Sequence, residues 1–451
     1  MPNKRLVILG GGGFRVPLVY GALLGSSVID EVVLHDVDAG RLHAIGRVLQ
    51  AQSSLSSRAP SSSSRASSSS PRAPRIEATT DLTEALTGAD FVFSAIRVHG
   101  LEGRVIDERV ALDEGVLGQE TVGAGGIAYG LRTVPVARAI ARRISLVAPD
   151  AWVINFTNPA GLVTEAMSAF LGDRVIGICD SPSALARRVV RALGVPQASI
   201  SYAGLNHLGW LTAARVGEQD LLPGLLESPT VESFEEGRRF GAPLLRSLGA
   251  VPNEYLHYYY DTEALVRASL AADETRGEFL LRQQRSCYAE LTATEGNAFE
   301  AWDAVRRQRD ATYMAMEGLG ERDDAEGGGY EDVALALMMA IARDERQELI
   351  LNVRNRGTLP ELDDDAVVEV PCVVDGSGAR PLPSSGLPAH GVDLVRRIKA
   401  TDRGVLTAAS SGSRAVAVRA MAAHPLIDSV PVARRLIAAY QEKLPELGYL
   451  S

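Results

Sequence analysis

The first half of the chain alternates short apolar runs with longer amphipathic runs. The apolar runs are rich in β-branched residues and end in glycine or polar residues, which is typical of buried parallel strands. The amphipathic runs between them predict helices that cover the sheet. This alternation predicts an α/β fold with a Rossmann-like, doubly wound parallel sheet. The predicted strands lie within residues 5–13, 30–38, 89–97, 150–159 and 173–182, and the first predicted helix spans 17–26.

The pattern changes after an apolar segment at residues 201–211. From there it becomes mainly helical, with long amphipathic stretches near 291–317, 330–347 and 412–443. A chain of 451 residues is also longer than one compact core usually supports. We therefore predict a Rossmann-like domain over residues 1–200, followed by a mainly helical α+β domain over 201–451.

One segment interrupts the alternation. Residues 53–75, "SSLSSRAPSSSSRASSSSPRAPR", are a low-complexity mixture of serine, proline and arginine with few apolar side chains. Such a composition cannot bury enough apolar surface to order itself. We expect a disordered insertion without a catalytic role.

Net charge, the lengths of apolar runs and cysteine spacing indicate which partners and which cellular compartment to expect. The formal net charge of −10 argues against nucleic acid or an anionic membrane surface as the main partner. Apolar runs stay well below the length of a membrane span, and residues 1–5 lead directly into a predicted strand without a signal peptide. The three cysteines, at 179, 287 and 372, are too widely spaced for a disulfide framework. We expect a cytoplasmic protein.

A glycine-rich turn between the first strand and first helix predicts a dinucleotide site. Gly10 and Gly12 match the first two glycines of the G-x-G-x-x-G fingerprint, whereas the third position is Arg15. Asp36 ends the second strand, where an acid suits a ribose 2′-hydroxyl and favours NAD over NADP. A tight turn without nucleotide, or Asp36 as a helix N-cap, remains possible. The candidate NAD-binding residues are Gly10, Gly12, Gly13, Phe14, Arg15 and Asp36.

Polar residues also cluster where the later strands are predicted to end. They are Arg97, Asn158, the pair Cys179–Asp180 and the pair Asn206–His207. In an open parallel sheet, ligands bind outside the carboxyl ends of the strands. Cysteine and histidine are ligands for Zn, Mn or Fe, and a two-residue site leaves positions open for substrate oxygens. Each residue also has an ordinary explanation, since a lone cysteine or histidine usually packs and Asn158 precedes a proline in a turn.

Together these motifs resemble the family 4 glycoside hydrolases, and among them the 6-phospho-β-glucosidases. The resemblance extends over most of the chain. It is carried by "ILGGGGFRVPLV", "AIRVHG", "GVLGQETVGAGGIAYGLRTVP", "NFTNPAGLVTEA", "GICDSP", "GLNHLGW" and "AVVEVPCVVDGSGARPL". The serine-rich insertion has no counterpart in the usual family pattern.

The resemblance implies a glycosidase that needs NAD and a divalent metal, an exception to the two-carboxylate scheme. Hydride transfer from C3 of the sugar to NAD⁺ creates a ketone, which makes the C2 proton acidic. A metal on the C2 and C3 oxygens stabilises the enolate, a base removes the C2 proton, and the aglycone leaves. Water then adds to the enone and hydride returns to C3. We expect the second domain, residues 201–451, to contribute to substrate and metal binding and to oligomerisation.

Carried over residue by residue, the resemblance makes Cys179 and His207 the metal ligands, with Mn²⁺ as the expected metal. Tyr255 becomes the expected base, with Tyr258 as the second choice. A nearby cation would lower the tyrosine pKa enough for that role. Without the resemblance, this tyrosine cluster is better explained as aromatic packing on a helix face.

Three more residues acquire roles from the resemblance. Arg97 and Asn158 match substrate-contacting positions. Arg97 and Arg276 are candidates for the sugar 6-phosphate, because arginine binds a dianion with two parallel hydrogen bonds; simple solvation is the alternative for Arg276. Glu120 in "GQET" is a candidate supporting residue of the metal site.

Asp180 departs from the β-type pattern. In the family this position tends to be aspartate in α-specific enzymes, where it can protonate the leaving group, and asparagine in β-specific enzymes. Asp180 is therefore either a general acid or an N-cap for the helix that follows.

Other functions remain open at this stage. They are an α-specific 6-phosphoglycosidase, an NAD-dependent hydroxy-acid dehydrogenase and a catalytically silent NAD-binding protein. The expected substrate is a phosphorylated disaccharide or glucoside, and the family implies a homodimer or homotetramer.

Overall fold

The computed structural model describes residues 4–56, 73–294, 296–316 and 329–451. Within these ranges, thirteen strands join in a single mixed sheet. The strands are β1 (Arg5–Leu9), β2 (Glu31–His35), β3 (Arg75–Thr79), β4 (Phe91–Ser94), β5 (Trp152–Asn155), β6 (Val175–Gly177), β7 (Ser199–Leu205), β8 (Leu208–Val216), β9 (Gln219–Asp220), β10 (Val251–Pro252), β11 (Gln347–Arg354), β12 (Val367–Asp375) and β13 (Gly378–Pro381).

Six neighbouring strands of this sheet are parallel, in the order β3-β2-β1-β4-β5-β6. Both faces of β1 are buried, since Leu6 and Ile8 belong to one apolar cluster and Val7 and Leu9 to another. This confirms the predicted doubly wound arrangement. Beyond β6 the sheet continues with antiparallel pairing through β11, β12, β7, β8 and β10. Strands from both sides of residue 200 thus belong to one sheet. The domain boundary at that residue stays a prediction.

Helices cover the parallel half and form most of the second half of the chain. Among the described residues they are α1 (Val16–Leu23), α2 (Ala39–Ser56), α3 (Leu82–Leu86), α4 (Gly100–Asp113), α5 (Gly123–Val147), α6 (Ala160–Leu171), α7 (Ser181–Leu193), α8 (Leu222–Glu227), α9 (Glu235–Phe240), α10 (Ala242–Leu248), α11 (His257–Tyr260), α12 (Thr262–Ala271), α13 (Arg276–Ala293), α14 (Ala298–Met316), α15 (Tyr330–Arg343), α16 (Val392–Ser411), α17 (Arg414–Ala423) and α18 (Val430–Lys443). In that part of the chain, no helix has both the length and the apolar character that crossing a bilayer requires.

Several predicted boundaries need correction. The helix predicted near 330–347 ends at Arg343, because Asp344 adopts a left-handed conformation (φ 56°) and the chain then enters β11. The stretch 412–443 is two helices, α17 and α18. Strands β3, β9, β10, β11, β12 and β13 were not predicted as strands, although β11 and β12 carry the apolar, β-branched composition of a buried strand.

Both ends of the predicted insertion belong to regular elements. Residues 53–56 form the end of α2, where the Ser54 hydroxyl donates to the Gln50 carbonyl (2.9 Å), and Arg75 begins β3. The remainder of the segment, residues 57–72, lies outside the described residues.

Candidate active site

The glycine turn after β1 leaves no room for side chains. Gly10 has φ 79°, and a Cβ there would lie 2.5 Å from the Ala95 carbonyl oxygen. A Cβ at Gly12 would lie 2.7 Å from the Arg41 Cβ, and the Gly12 N–H donates to Asp36 Oδ2 at 3.0 Å. A side chain at either position would collide with the protein itself, so the turn can pack this tightly only with glycine. Helix α1 begins directly after it, and a helix N-terminus favours the charge of a dinucleotide pyrophosphate.

Three aromatic side chains hold the backbone of the turn in place. Its carbonyl oxygens accept hydrogen bonds from Tyr288 (to Gly12, 2.6 Å), Trp302 (to Phe14, 2.8 Å) and Tyr330 (to Arg15, 3.0 Å). The Phe14 ring packs against Trp302 with centroids 5.9 Å apart and is 5% exposed. Only the backbone of Phe14 is thus placed to contact a cofactor.

The loops after the neighbouring strands β4, β5 and β6 carry four of the predicted site residues, Arg97, Asn158, Cys179 and Asp180. Ile96, next to Arg97, donates its backbone N–H to Thr157 Oγ1, next to Asn158, at 3.1 Å. Cys179 follows β6 by two residues, beside the loop after β5. These three loops form one edge of the parallel sheet, as predicted.

His207 reaches the site by a different route from the one predicted. Asn206 and His207 form the turn between the antiparallel strands β7 and β8, and His207 has φ 61°. They do not follow a parallel strand, so the sheet-edge argument was wrong for them. The turn nevertheless lies beside the loop after β5, because a Cβ at Gly161 would be 3.2 Å from the Asn206 Cβ.

The His207 ring is fixed on two sides. Its Nδ1 lies 3.1 Å from Thr121 Oγ1, and the Tyr255 ring stacks on it with centroids 3.6 Å apart and an interplanar angle of 2°. Burial lowers the pKa of His207 to about 4, although nearby carboxylates act to raise it. The imidazole is therefore neutral, which is the form that binds metals, and its Nε2 remains for a ligand.

Cys179 and Asp180 lie where β6 meets α7. Burial raises the pKa of the Cys179 thiol well above its usual value, and the charges of Glu369 and Asp180 raise it further. Asp180 occupies the N-cap position of α7, but its side chain makes no capping hydrogen bond. The N-cap explanation for an aspartate at this position is thus not supported by its contacts.

A buried carboxylate that the sequence analysis missed lies near Cys179 and contacts the residue before His207. Glu369 of β12 accepts hydrogen bonds from the side chains of Asn352 (2.8 Å), Asn206 (3.3 Å) and Tyr202 (3.2 Å). Burial raises the pKa of Glu369 to about 7 against those hydrogen bonds. Its signal in the sequence is a lone acid within the apolar strand "VVEVP".

The tyrosine segment is tied to the same place. The Ser181 hydroxyl donates to Glu254 Oε1 at 2.9 Å, and the Tyr255 N–H donates to Asn253 Oδ1 at 3.1 Å. The Tyr258 ring centroid lies 6.0 Å from that of Tyr255. Of the two candidate bases, Tyr255 is the one in contact with His207.

Arg97 is held by an acidic partner on the loop before α5. Its Nη1 donates to Glu120 Oε2 at 2.8 Å, and Arg104 Nη1 donates to Glu120 Oε1 at 2.8 Å. Burial would raise the pKa of Glu120, but the charges of Arg104 and Arg97 outweigh it and lower that pKa to about 2. Glu120 is thus ionised and fixed beside Thr121, which contacts His207.

Further arginines surround this loop. Arg276 is the first residue of α13 and lies over the Phe279 ring at 5.0 Å. Burial lowers the pKa of Arg309 to about 9, and the charges of Arg15, Arg276 and Arg104 lower it further. Sequence reasoning missed Arg309, because a single arginine in an amphipathic helix carries no distinguishing signal.

The donor set fits a metal that keeps open positions. Among the described residues, no three His, Cys, Asp or Glu side chains group closely enough to enclose an ion by themselves. A neutral imidazole and a thiol that a cation would deprotonate suit an open site completed by substrate oxygens. The glycine turn, with the N-terminus of α1 directly after it, fits a dinucleotide pyrophosphate.

Comparisons with known proteins agree with this geometry. Residues 5–195 match the model of the family 4 glycosyl hydrolases, and residues 202–427 match that of the family 4 glycosyl hydrolase C-terminal domain. The chain belongs to glycosyl hydrolase family 4.

Individual members of family 4 differ in anomeric specificity. The chain is 32% identical to a probable 6-phospho-beta-glucosidase of Bacillus subtilis, over 82% of this chain and 83% of that one. It is 28% identical to the phospho-alpha-glucosidase PagL of Clostridium acetobutylicum, over 97% of each. A crystal structure of a 6-phospho-alpha-glucosidase from gut microorganisms, in complex with NAD and Mn²⁺, is 26% identical with a TM-score of 0.78, covering 98% of each chain.

Proposed function

We propose that this family 4 enzyme hydrolyses 6-phospho-β-glucosides, using NAD and a divalent metal, with Mn²⁺ as the expected ion. The observation that carries the proposal is the position of Tyr255, whose ring stacks on the predicted ligand His207 at 3.6 Å. A base and a metal ligand in contact are what deprotonation next to a metal-bound ketone requires. The B. subtilis relative named above supports the β-glucoside substrate.

The proposed roles follow the contacts. Cys179 Sγ and His207 Nε2 would hold the metal, which supplies Lewis-acid stabilisation of charge on the sugar oxygens. Thr121 fixes the His207 ring by its contact with Nδ1. The Tyr255 hydroxyl would take the C2 proton, and Asn158 would contact the sugar from the loop after β5.

The proposed phosphate site is the group of arginines around Glu120. The pKa of Arg309 is lowered by burial and by the charges of Arg15, Arg276 and Arg104, so these cations lie near each other. A phosphate dianion is recognised well by several arginines at once, because each guanidinium can offer it two parallel hydrogen bonds. We propose Arg276 and Arg97 as its principal contacts, with Arg309 and Arg15 as additional ones.

The assay that tests the proposal is nitrophenol release from the α and β anomers of nitrophenyl glucoside 6-phosphate, with and without NAD⁺ and Mn²⁺. We expect release from the β anomer only when both are present. Release from the α anomer alone would overturn the β assignment. Stoichiometric NADH without nitrophenol would instead indicate a dehydrogenase. Gel filtration coupled to light scattering would test the proposed homodimer or homotetramer.

Replacing Asp180 with asparagine separates the two anomeric assignments. A β-specific enzyme does not need a general acid here, so D180N should retain nitrophenyl β-glucoside 6-phosphate hydrolysis within about tenfold, whereas loss of a required acid costs about 10²- to 10⁴-fold. The measurement is kcat on both anomers, with the melting temperature as a check on folding. A drop of about 10²-fold or more on the β anomer would contradict the assignment of Asp180 as auxiliary.

Replacing Asp36 with alanine should weaken NAD binding by about tenfold and reduce the preference over NADP. The reason is that Asp36, which accepts the Gly12 N–H at 3.0 Å, is positioned for the ribose 2′-hydroxyl. D38A is the matched control, because Asp38 lies two residues on and its carboxylate contacts Arg41 of α2, through the backbone N–H (3.0 Å) and the guanidinium (4.0 Å). Equal NAD dissociation constants for D36A and the unmodified protein, measured by titration calorimetry, would refute the role.

A further inference from the structure

A continuous chain of hydrogen bonds links the two arginines proposed to bind phosphate. It begins at Arg97, whose Nη1 donates to Glu120, and passes to Arg104, whose Nη1 donates to the other oxygen of the same carboxylate, both at 2.8 Å. Arg104 then donates through Nε to Glu108 Oε1 at 2.7 Å. Arg104 and Glu108 lie one turn apart on α4.

The chain ends at the first turn of α13. Glu108 Oε2 accepts the backbone N–H of Gly277 at 2.7 Å, and Gly277 directly follows Arg276. The approach is close, since a Cβ at Gly277 would lie 2.6 Å from Glu108 Oε2 and 3.1 Å from Arg104 Cγ. The Glu108 carboxylate thus holds the backbone directly beside Arg276.

The members of this chain are shielded from water. The Glu108 side chain is 2% exposed, that of Arg104 11% and that of Glu120 15%. Hydrogen bonds between ions in such surroundings are stronger and more directional than on an exposed surface. Because both oxygens of Glu108 and both oxygens of Glu120 are engaged, neither carboxylate can shift without breaking a bond to the next member.

We propose that Glu108 is a positioning residue, which sets the separation of Arg276 and Arg97 through Gly277, Arg104 and Glu120 so that both arginines reach one phosphate dianion. This inference rests on the phosphate site proposed above. It assigns Glu108 a role at that site without contact with the substrate.

The direction in which E108Q changes anion binding distinguishes a positioning role of Glu108 from a purely electrostatic one. If Glu108 only neutralised the neighbouring arginines, removing its charge would strengthen anion binding by Coulomb attraction. If it positions them, E108Q should weaken binding, because a glutamine offers one acceptor where two donors must be met. We expect the dissociation constant of glucose 6-phosphate, and that of inorganic phosphate, to rise by about tenfold for E108Q.

A second variant changes the geometry and leaves every charge in place. In G277A the new methyl group would overlap Glu108 Oε2 and displace it, while alanine is a better helix former than glycine. The control is R109Q. Arg109 also joins α4 to α13, through Glu278 (Nε to Oε1, 2.8 Å), but does not belong to the chain.

The experiment is titration calorimetry of all four proteins with inorganic phosphate, glucose 6-phosphate and NAD, together with melting temperatures. The expected result is weaker phosphate and glucose 6-phosphate binding in E108Q and G277A, with R109Q and NAD binding within about twofold of the unmodified protein. Unchanged or tighter phosphate binding in E108Q would overturn the inference, as would equal losses in all three variants. If the unmodified protein binds neither anion, the proposed phosphate site fails and the inference with it.

Discussion

Replacing Cys179 with serine is expected to abolish activity on 6-phosphoglucosides, with a loss of about 10³-fold or more. A serine hydroxyl stays protonated and is a poor ligand for a transition metal, so the open site loses one of its two protein ligands. Lewis-acid stabilisation of the transition state contributes several kcal/mol, and each 1.36 kcal/mol is tenfold in rate. The measurement is the kcat for nitrophenol release together with Mn²⁺ binding, followed by electron paramagnetic resonance.

C372S is the matched control for C179S. Cys372 is also buried, on β12, and its thiol contacts the Val370 carbonyl at 3.4 Å. C372S should keep Mn²⁺ binding and activity, and both variants should keep NAD binding, because neither residue belongs to the glycine turn. Full Mn²⁺ affinity in C179S would show that the metal binds elsewhere.

The sequence predicted the parallel half of the sheet well because its signals are local. Each strand from β1 to β6, except β3, is a short apolar run that ends in glycine or a polar residue. The exception is instructive: β3, with the sequence "RIEAT", is an edge strand with no buried residue. A strand paired on one side and exposed to water lacks the apolar run from which the others were identified.

The candidate site was predicted as a set of residues but not as an arrangement. Cys179 and Asp180 follow a parallel strand, so the sheet-edge rule placed them correctly. His207 lies on an antiparallel hairpin. Strands β11 and β12 connect this hairpin to β6, and both follow His207 by about 140 residues or more in the chain. No local pattern encodes pairing over that distance.

The supporting residues were the least predictable part. Thr121, Glu108 and Glu369 act through hydrogen bonds that exist only after α4, α5 and β12 have packed. Their residue types are common and their sequence neighbours ordinary, so composition and spacing do not distinguish them from solvated side chains. Of the three, only Glu369 has a sequence signal, since an acid among buried β-branched residues requires partners.

Replacing Tyr255 with phenylalanine is expected to lower kcat by about 10²- to 10⁴-fold, the usual contribution of a general base. Phenylalanine retains the ring that stacks on His207 at 3.6 Å, so the metal ligand keeps its orientation and only the hydroxyl is lost. Mn²⁺ and NAD affinities should therefore stay within about threefold. The direct measurement is exchange of the substrate C2 proton with deuterated water, which Y255F should abolish.

Y258F is the control for Y255F and also tests the alternative base. The Tyr258 ring lies 6.0 Å from that of Tyr255 and 4.0 Å from that of His257, whereas the Tyr255 ring stacks on that of His207 at 3.6 Å. Y258F should retain C2 exchange and most of its kcat. The reverse result, with exchange lost in Y258F and kept in Y255F, would identify Tyr258 as the base. Loss of exchange in both variants, with Mn²⁺ still bound, would contradict the assignment of Tyr255 as the only base.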